Sequence, residues 1–251
     1  MAVLALLYGA AAYACFLASF LYAIGFVGNL LVPTSVDSGA VAPLGAALVI
    51  DLLLLALFAV QHSVMARRGF KRWWTRIVPE ALERSTYVLA ASAALALLLW
   101  QWRPIAEPLV WSVQHPAGVA LLHAVFWLGW AVALTSTFLI DHFELFGLRQ
   151  AWSRLVGHAA PRLEFSTPGL YRHVRHPLYL GLLLGFWATP TMTAGHLLFA
   201  GASTGYILIG IWFEERDLIA QFGDRYRLYR EQVGMLLPRR AKGRGRGPAG
   251  Q

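Results

Sequence analysis

Long apolar runs separated by short polar stretches dominate the chain, at about residues 3–31, 43–66, 86–102, 118–140, 178–189 and 193–213. Most reach the roughly 20 residues that a helix needs to cross about 30 Å of hydrocarbon, so the pattern predicts six membrane segments. The fifth run is short and ends at Thr189 and Pro190, which predicts a helical hairpin of segments five and six, the fifth crossing only part of the bilayer. The first run has no basic leader and is too long for the apolar core of a cleavable signal, so it is expected to stay as a helix. Beyond the last run, EERDLIAQFGDRYRLYREQ spaces Leu218, Phe222, Tyr226 and Tyr229 as one apolar stripe. That spacing predicts one further helix over about 213–233, lying along the membrane surface or folded back over the bundle. The expected fold class is all-α: a polytopic membrane helix bundle with a cytoplasmic C-terminal helix. One membrane domain is expected over residues 1–237, followed by a disordered basic tail over 238–251 that ends KGRGRGPAGQ.

Composition agrees with the pattern. Of the 251 residues, 58% are hydrophobic and only 14% charged, and the mean hydropathy is +0.55, more apolar surface than a soluble domain of this length can hide. Charge then orients the chain. Arg67, Arg68, Lys71, Arg72, Arg76 and Arg84 follow the second run, while Arg149, Arg154, Arg162, Arg172 and Arg175 follow the fourth. Nine more basic residues lie between Arg216 and Arg246, whereas the first and third loops hold only Arg103. The positive-inside rule therefore expects both termini and the even loops in the cytoplasm. The net charge of +8 borders membrane segments, where anionic lipid headgroups account for it without nucleic acid. The single Cys15 lies inside the first run, so neither a disulfide framework nor a thiolate metal site is expected.

Polar groups at membrane depth are costly, at least about 2.5 to 3.5 kcal/mol for an ionised side chain at mid-helix, and so point to use. Gln61, His62 and Ser63 close the second segment, Asp141, His142 and Glu144 close the fourth, Arg175, His176 and Tyr179 open the fifth, and Glu214 and Glu215 end the sixth. All four ends are expected on the same membrane face, as a pocket open to the cytoplasm. Pro177 suits the first turn of a helix, and it restricts and aims His176 before it. Asp51, deeper, is expected to make a structural hydrogen bond to another helix, and His123 and His196 to be polar packing near the outer face. His142, Glu144 and His176 form no metal-ligand spacing such as HExxH, so no metal is expected.

Two stretches carry a resemblance. GLYRHVRHPLYLG (residues 169–181) followed by EERDLIAQFGDRYRLYREQV (214–233) resembles the C-terminal signature of the isoprenylcysteine carboxyl methyltransferase and phospholipid methyltransferase superfamily, membrane enzymes that use S-adenosylmethionine without a Rossmann domain. FLYAIGFVGNLLVPTSVDSG (20–39), LFAVQHSVMARRGFKRWWTRIVPEALERSTYVL (57–89), WQWRPI (100–105) and STFLIDHFELFGLRQ (136–150) narrow it, being similar to the bacterial methanethiol S-methyltransferases. The resemblance covers most of residues 20–237, with the cofactor-binding half at about 136–237. It implies methyl transfer from S-adenosylmethionine to methanethiol, giving dimethyl sulfide and S-adenosylhomocysteine, in the bacterial inner membrane.

Carried onto this sequence, the superfamily motif would set Arg172, Arg175, His176 and Tyr179 around the amino acid end of the cofactor, with Glu214 and Glu215 serving its ammonium or ribose hydroxyls. Gly181 would let a backbone approach the cofactor; plain helix packing is the alternative for Gly181 and for Gly185. On the thiol side the proton must be taken or the thiolate stabilised. His62 with Gln61 leads, then the pair Asp141 and His142, while Arg149 or Arg172 would instead stabilise thiolate directly. Two alternatives stay open: a relative acting on a larger isoprenyl-thiol, carboxylate or aminophospholipid, and a non-enzymatic membrane protein of the NnrU type. Oligomeric state is not legible.

Overall fold

The computed structural model describes residues 2–157 and 165–239. The expected disordered tail falls almost wholly outside them, as does Arg162. Among the described residues, five helices are long and apolar enough to cross a membrane: α1 (Ala2–Gly28), α2 (Leu44–Ala66), α4 (Glu80–Gln101), α5 (Pro116–Ile140) and α9 (Ala194–Phe222). The chain is an all-α polytopic membrane bundle. Short helices α3 (Arg68–Trp74), α6 (His142–Leu145), α7 (Leu148–Val156) and α10 (Asp224–Gln232) flank the spans. Helix α8 (Pro177–Trp187) has 11 residues, about 16 Å of rise, roughly half the hydrocarbon thickness. It stops at Trp187, and Thr191–Thr193 (β2) then pairs antiparallel with Leu109–Ser112 (β1), closing the short segment against the third loop.

The bundle has two unlike ends. At the end carrying β1 and β2, Phe26, Leu98, Trp102, Phe126, Trp130 and Phe199 form a buried aromatic and aliphatic core. Its rim is knitted by polar groups: the Trp102 indole donates to the Val36 carbonyl at 3.1 Å, and Asp37 accepts from Asn29 at 2.7 Å and from Thr193. Fully buried Asp51 accepts from the Arg103 backbone amide at 2.9 Å, the structural bond expected of it, made to the residue just past α4. His196 lies in the same rim, fully buried and 2.9 Å from the Phe186 carbonyl.

At the opposite end the ends of α2, α4, α5, α8 and α9 come together, with the basic residues of the second and fourth connections. The stretch after α5 contains α7, which packs against α1: Ala151 is fully buried. Gly147 opens α7 with φ +86 and lies against the Ser85 backbone, a conformation and a closeness that exclude a side chain. The expected single helix over 213–233 is corrected. Helix α9 runs through the membrane end to Phe222, and Gly223 at φ +58 breaks it before α10.

Within lipid, helices associate through close backbone approach rather than through the hydrophobic effect. The α5–α8 contact follows that rule. A Cβ on Gly181 would lie 2.5 Å from the Ala133 amide nitrogen and the Gly129 carbonyl oxygen, and one on Gly185 would lie 3.0 Å from the Trp130 ring. Gly181 therefore faces α5 and serves helix packing, the alternative that the sequence leaves open for it. Gly181→Ala is expected to cost about 1 to 3 kcal/mol by overpacking. Gly210→Ala, with nothing within 4 Å, should be neutral; thermal unfolding in one detergent compares the two, and equal midpoints would contradict the packing role.

Candidate active site at the basic end of the bundle

The RHP turn is held by backbone as well as side chains. The Arg175 and His176 amides donate to the Gly234 and Met235 carbonyls at 2.9 and 3.1 Å, so the strand entering α8 is stitched to the segment leaving α10. Pro177 at the first position of α8 has no amide to lose there. Arg175, 9% exposed, spends all three guanidinium nitrogens inside the protein. Its Nε and Nη2 lie 2.8 Å from Glu215 Oε1, and its Nη1 donates to the Arg230 and Val233 carbonyls at 3.0 and 2.5 Å. Arg175 thus clamps α8, α9 and α10 together rather than presenting a free cation. Buried His176 has Nε2 at 3.2 Å from Glu215 Oε1 and Nδ1 at 3.6 Å from Glu214 Oε2. Glu214 differs from its neighbour: 43% of its side chain is exposed, and the Tyr179 phenol lies close enough to act on its carboxylate.

Around this clamp lie groups with spare capacity. Arg230 is half exposed, with Nη1 at 3.6 Å from Glu215 Oε2. The Tyr226 hydroxyl is buried and finds no partner among the described residues, and burial raises its pKa, so it stays a donor. The Tyr229 phenol, pushed up by burial to about 12, donates to the Tyr171 carbonyl at 2.5 Å. An anion, a cation and an unspent hydroxyl thus share one corner.

A second cluster adjoins the first through Tyr179, which stands within electrostatic range of Tyr87 and Tyr206 as well as of Glu214. His62 of α2 is bonded to Tyr87 of α4, whose hydroxyl lies 2.9 Å from Nε2 and 3.1 Å from Nδ1. Phe58 stacks on the imidazole with centroids 5.3 Å apart, and Ser63 donates to the Tyr206 hydroxyl of α9 at 3.3 Å. The Arg84 guanidinium sits over the Tyr87 ring at 5.1 Å. Four helices therefore deliver His62, Tyr87, Tyr179, Tyr206, His176 and Glu214 to adjoining positions. Of these, Tyr87 and Tyr206 escape sequence reasoning.

The other sequence candidates sort away from this centre. Gln61 donates only to Met65 Sδ at 3.1 Å, and its Oε1 has no partner among the described residues. Asp141 caps α6, accepting from the Glu144 amide at 3.1 Å, and pairs with Arg149, whose side chain is 46% exposed. His142 is buried on the α1 side: Tyr13 and Thr137 each lie 2.8 Å from one of its ring nitrogens, and it stacks on Phe138. Burial lowers its pKa, so it is held neutral with both nitrogens occupied. Glu144 accepts from Gln150 at 2.7 Å. Arg172 is exposed at the end of a 3-10 turn, Gly169–Arg172. Two grooves of about 530 Å³ each lie elsewhere, one at Asp37, Leu44 and Glu107 and one at Tyr22, Ala96 and Trp100. Chemistry, not void volume, marks the basic end.

No family model matches the chain, and no solved structure resembles it. Curated proteins do. Methanethiol S-methyltransferase of Mycobacterium tuberculosis is 60% identical over 235 residues, which are 94% of this chain and 96% of that protein. Methanethiol S-methyltransferase 2 of Bradyrhizobium diazoefficiens is 58% identical, over 93% of this chain and 90% of its own length. A more distant likeness, 34% over 69% of this chain and 68% of its partner, is to Nurim of Rattus norvegicus. Identities of this size across nearly the whole length, the membrane bundle and the acid, base and phenol groups gathered at one end lead to one conclusion: the chain belongs to the methanethiol S-methyltransferase family.

Proposed function

We propose that this chain transfers a methyl group from S-adenosylmethionine to methanethiol at the cytoplasmic face of the bacterial inner membrane, releasing dimethyl sulfide and S-adenosylhomocysteine. The observation that carries the reading is the adjacency of two chemically distinct clusters, one of mixed charge around His176 and Glu214 and one of imidazole and phenols around His62, within a family whose named members are methanethiol S-methyltransferases. The basic end, with nearly all arginines and lysines of the connections, is the cytoplasmic one by the positive-inside rule, and both termini lie there.

The residues present fit the cofactor. Glu214 and Arg230 offer opposite charges for its ammonium and carboxylate, and the unpartnered Tyr226 hydroxyl offers a donor. His176 and Tyr179 orient Glu214, while Glu215 and Arg175 hold the wall behind it. When bound, S-adenosylmethionine supplies a methyl group on a sulfonium cation. Aromatic faces at Phe58, Tyr87 and Tyr206 are favourable neighbours for such a cation. They also keep water from the nucleophile, which lowers the barrier where opposite charges cancel in the displacement. Methanethiol has too few atoms to bind tightly, so rate must come from holding sulfur and methyl in line within that aromatic wall. His62 is the base that drains the thiol proton.

Purified protein given methyl-labelled S-adenosylmethionine and methanethiol should produce labelled dimethyl sulfide, read by gas chromatography. An active preparation that methylates only long-chain or carboxylate acceptors would overturn the substrate assignment.

A further inference from the structure

His62 faces Tyr87 with the whole nitrogen-bearing edge of its ring. The Tyr87 hydroxyl lies 3.1 Å from Nδ1 and 2.9 Å from Nε2, so whichever nitrogen carries the proton, the other meets the same oxygen. Phe58 stacks on the ring, and the Tyr206 ring stands edge-on at 6.4 Å. The Tyr87 oxygen therefore lies against the ring edge that carries both nitrogens.

We infer that Tyr87 is a catalytic residue that receives the proton of the thiol while passing its own to His62. The inference deepens the methanethiol reading and rests on it. In the step, the thiol S–H bond breaks and its proton goes to the Tyr87 oxygen. In the same step the Tyr87 O–H bond breaks, its proton going to the unprotonated nitrogen of His62. The freed electron pair on the thiol sulfur forms the new bond to the methyl carbon, and the pair of the old carbon–sulfonium bond stays with the departing sulfur. Atoms and charge balance: one positive charge leaves the sulfonium as one appears on His62, so the site keeps its net charge throughout. A direct transfer to bulk water would forfeit that balance.

Arg84 supports the relay. Its guanidinium carbon lies 5.1 Å from the Tyr87 ring centroid, and its Nε donates to the Leu145 carbonyl at 2.7 Å, which fixes the cation over the face of the phenol. There it favours the negative charge that develops on the oxygen as its own proton runs ahead of the arriving one in the shared transition state. The remaining titratable groups facing the pair are Glu83 on α4, Tyr206 on α9 and Tyr179 on α8.

Tyr87→Phe keeps the ring and removes the relay atom. With methanethiol at neutral pH its single-turnover rate should fall by about 100-fold or more, with S-adenosylmethionine affinity by calorimetry and the thermal midpoint unchanged. The loss should shrink as pH rises through the ionisation of the thiol, and should be smaller with the more acidic 2,2,2-trifluoroethanethiol, which gives more of its proton to solvent before it binds. Without any substrate, the ¹⁵N imidazole resonances of His62 should move in Tyr87→Phe while those of His176 stay. A loss equal at every pH and for both thiols, or a rate within about 3-fold of wild type, overturns the relay. Should the variant not fold, the wild type carries the test: two protons in flight require a bowed proton inventory in mixed H₂O and D₂O, and a straight line overturns the proposal. A wild type inactive toward every thiol overturns the methanethiol reading and this one together, whereas an active wild type with a straight inventory overturns this one alone.

Discussion

Glu215→Ala is expected to be among the most damaging single substitutions in this chain, and for stability before activity. Glu215 Oε1 accepts from Arg175 Nε and Nη2 at 2.8 Å and lies 3.2 Å from His176 Nε2, with the Arg175 side chain only 8% exposed. Removing the carboxylate strands a buried guanidinium, at a cost of about 3 to 5 kcal/mol. For a chain of this size that lowers the thermal midpoint by roughly 10 °C. Arg175→Met should do comparable harm, since the carboxylate is then left beside His176 alone. The double variant Arg175→Met with Glu215→Leu removes both charges and should recover more than half of the loss, a coupling that only contacting residues show. Single variants with unchanged midpoints but weakened S-adenosylmethionine binding would instead make Glu215 a cofactor ligand and nothing more.

The second large effect separates the two clusters. His62→Ala deletes the proton sink of the phenol–imidazole pair and should lower kcat by about 100-fold or more, with little change in the Kd for S-adenosylmethionine. His176→Ala works on the other side: the buried ring orients Glu214 and touches Glu215. Its loss should weaken cofactor binding by tens of fold, the size of one lost hydrogen bond to a charged group, while saturating cofactor restores most of kcat. Calorimetry for binding and single-turnover kinetics for chemistry resolve the two. The opposite pattern would exchange their roles.

The spans were legible because hydropathy is a property of composition, and the shortness of α8 was legible because Thr189 and Pro190 interrupt the run. The break between α9 and α10 was not. The stripe of Leu218, Phe222, Tyr226 and Tyr229 continues through Gly223, and only the positive φ of that glycine shows that the chain turns. The charged candidates of the second, fifth and sixth segments gather at one end of the bundle, but their pairing was hidden. Spacing does not say that Arg175 spends itself on Glu215, forty residues away, nor that His142 is satisfied by Tyr13 from the first helix. Tyr87 and Tyr206 escaped for another reason: a lone tyrosine in an apolar run resembles core or interfacial packing, and only its distance from His62 or Ser63 gives it chemistry.

The stitching of Arg175 and His176 to Gly234 and Met235 bears on how the protein is made. Every span precedes residues 230–235 in the chain, so the RHP turn is made well before the carbonyls that its Arg175 and His176 amides meet. The mixed-charge corner can close only after those residues have left the ribosome, which makes maturation of the site a late event that takes place at the water boundary.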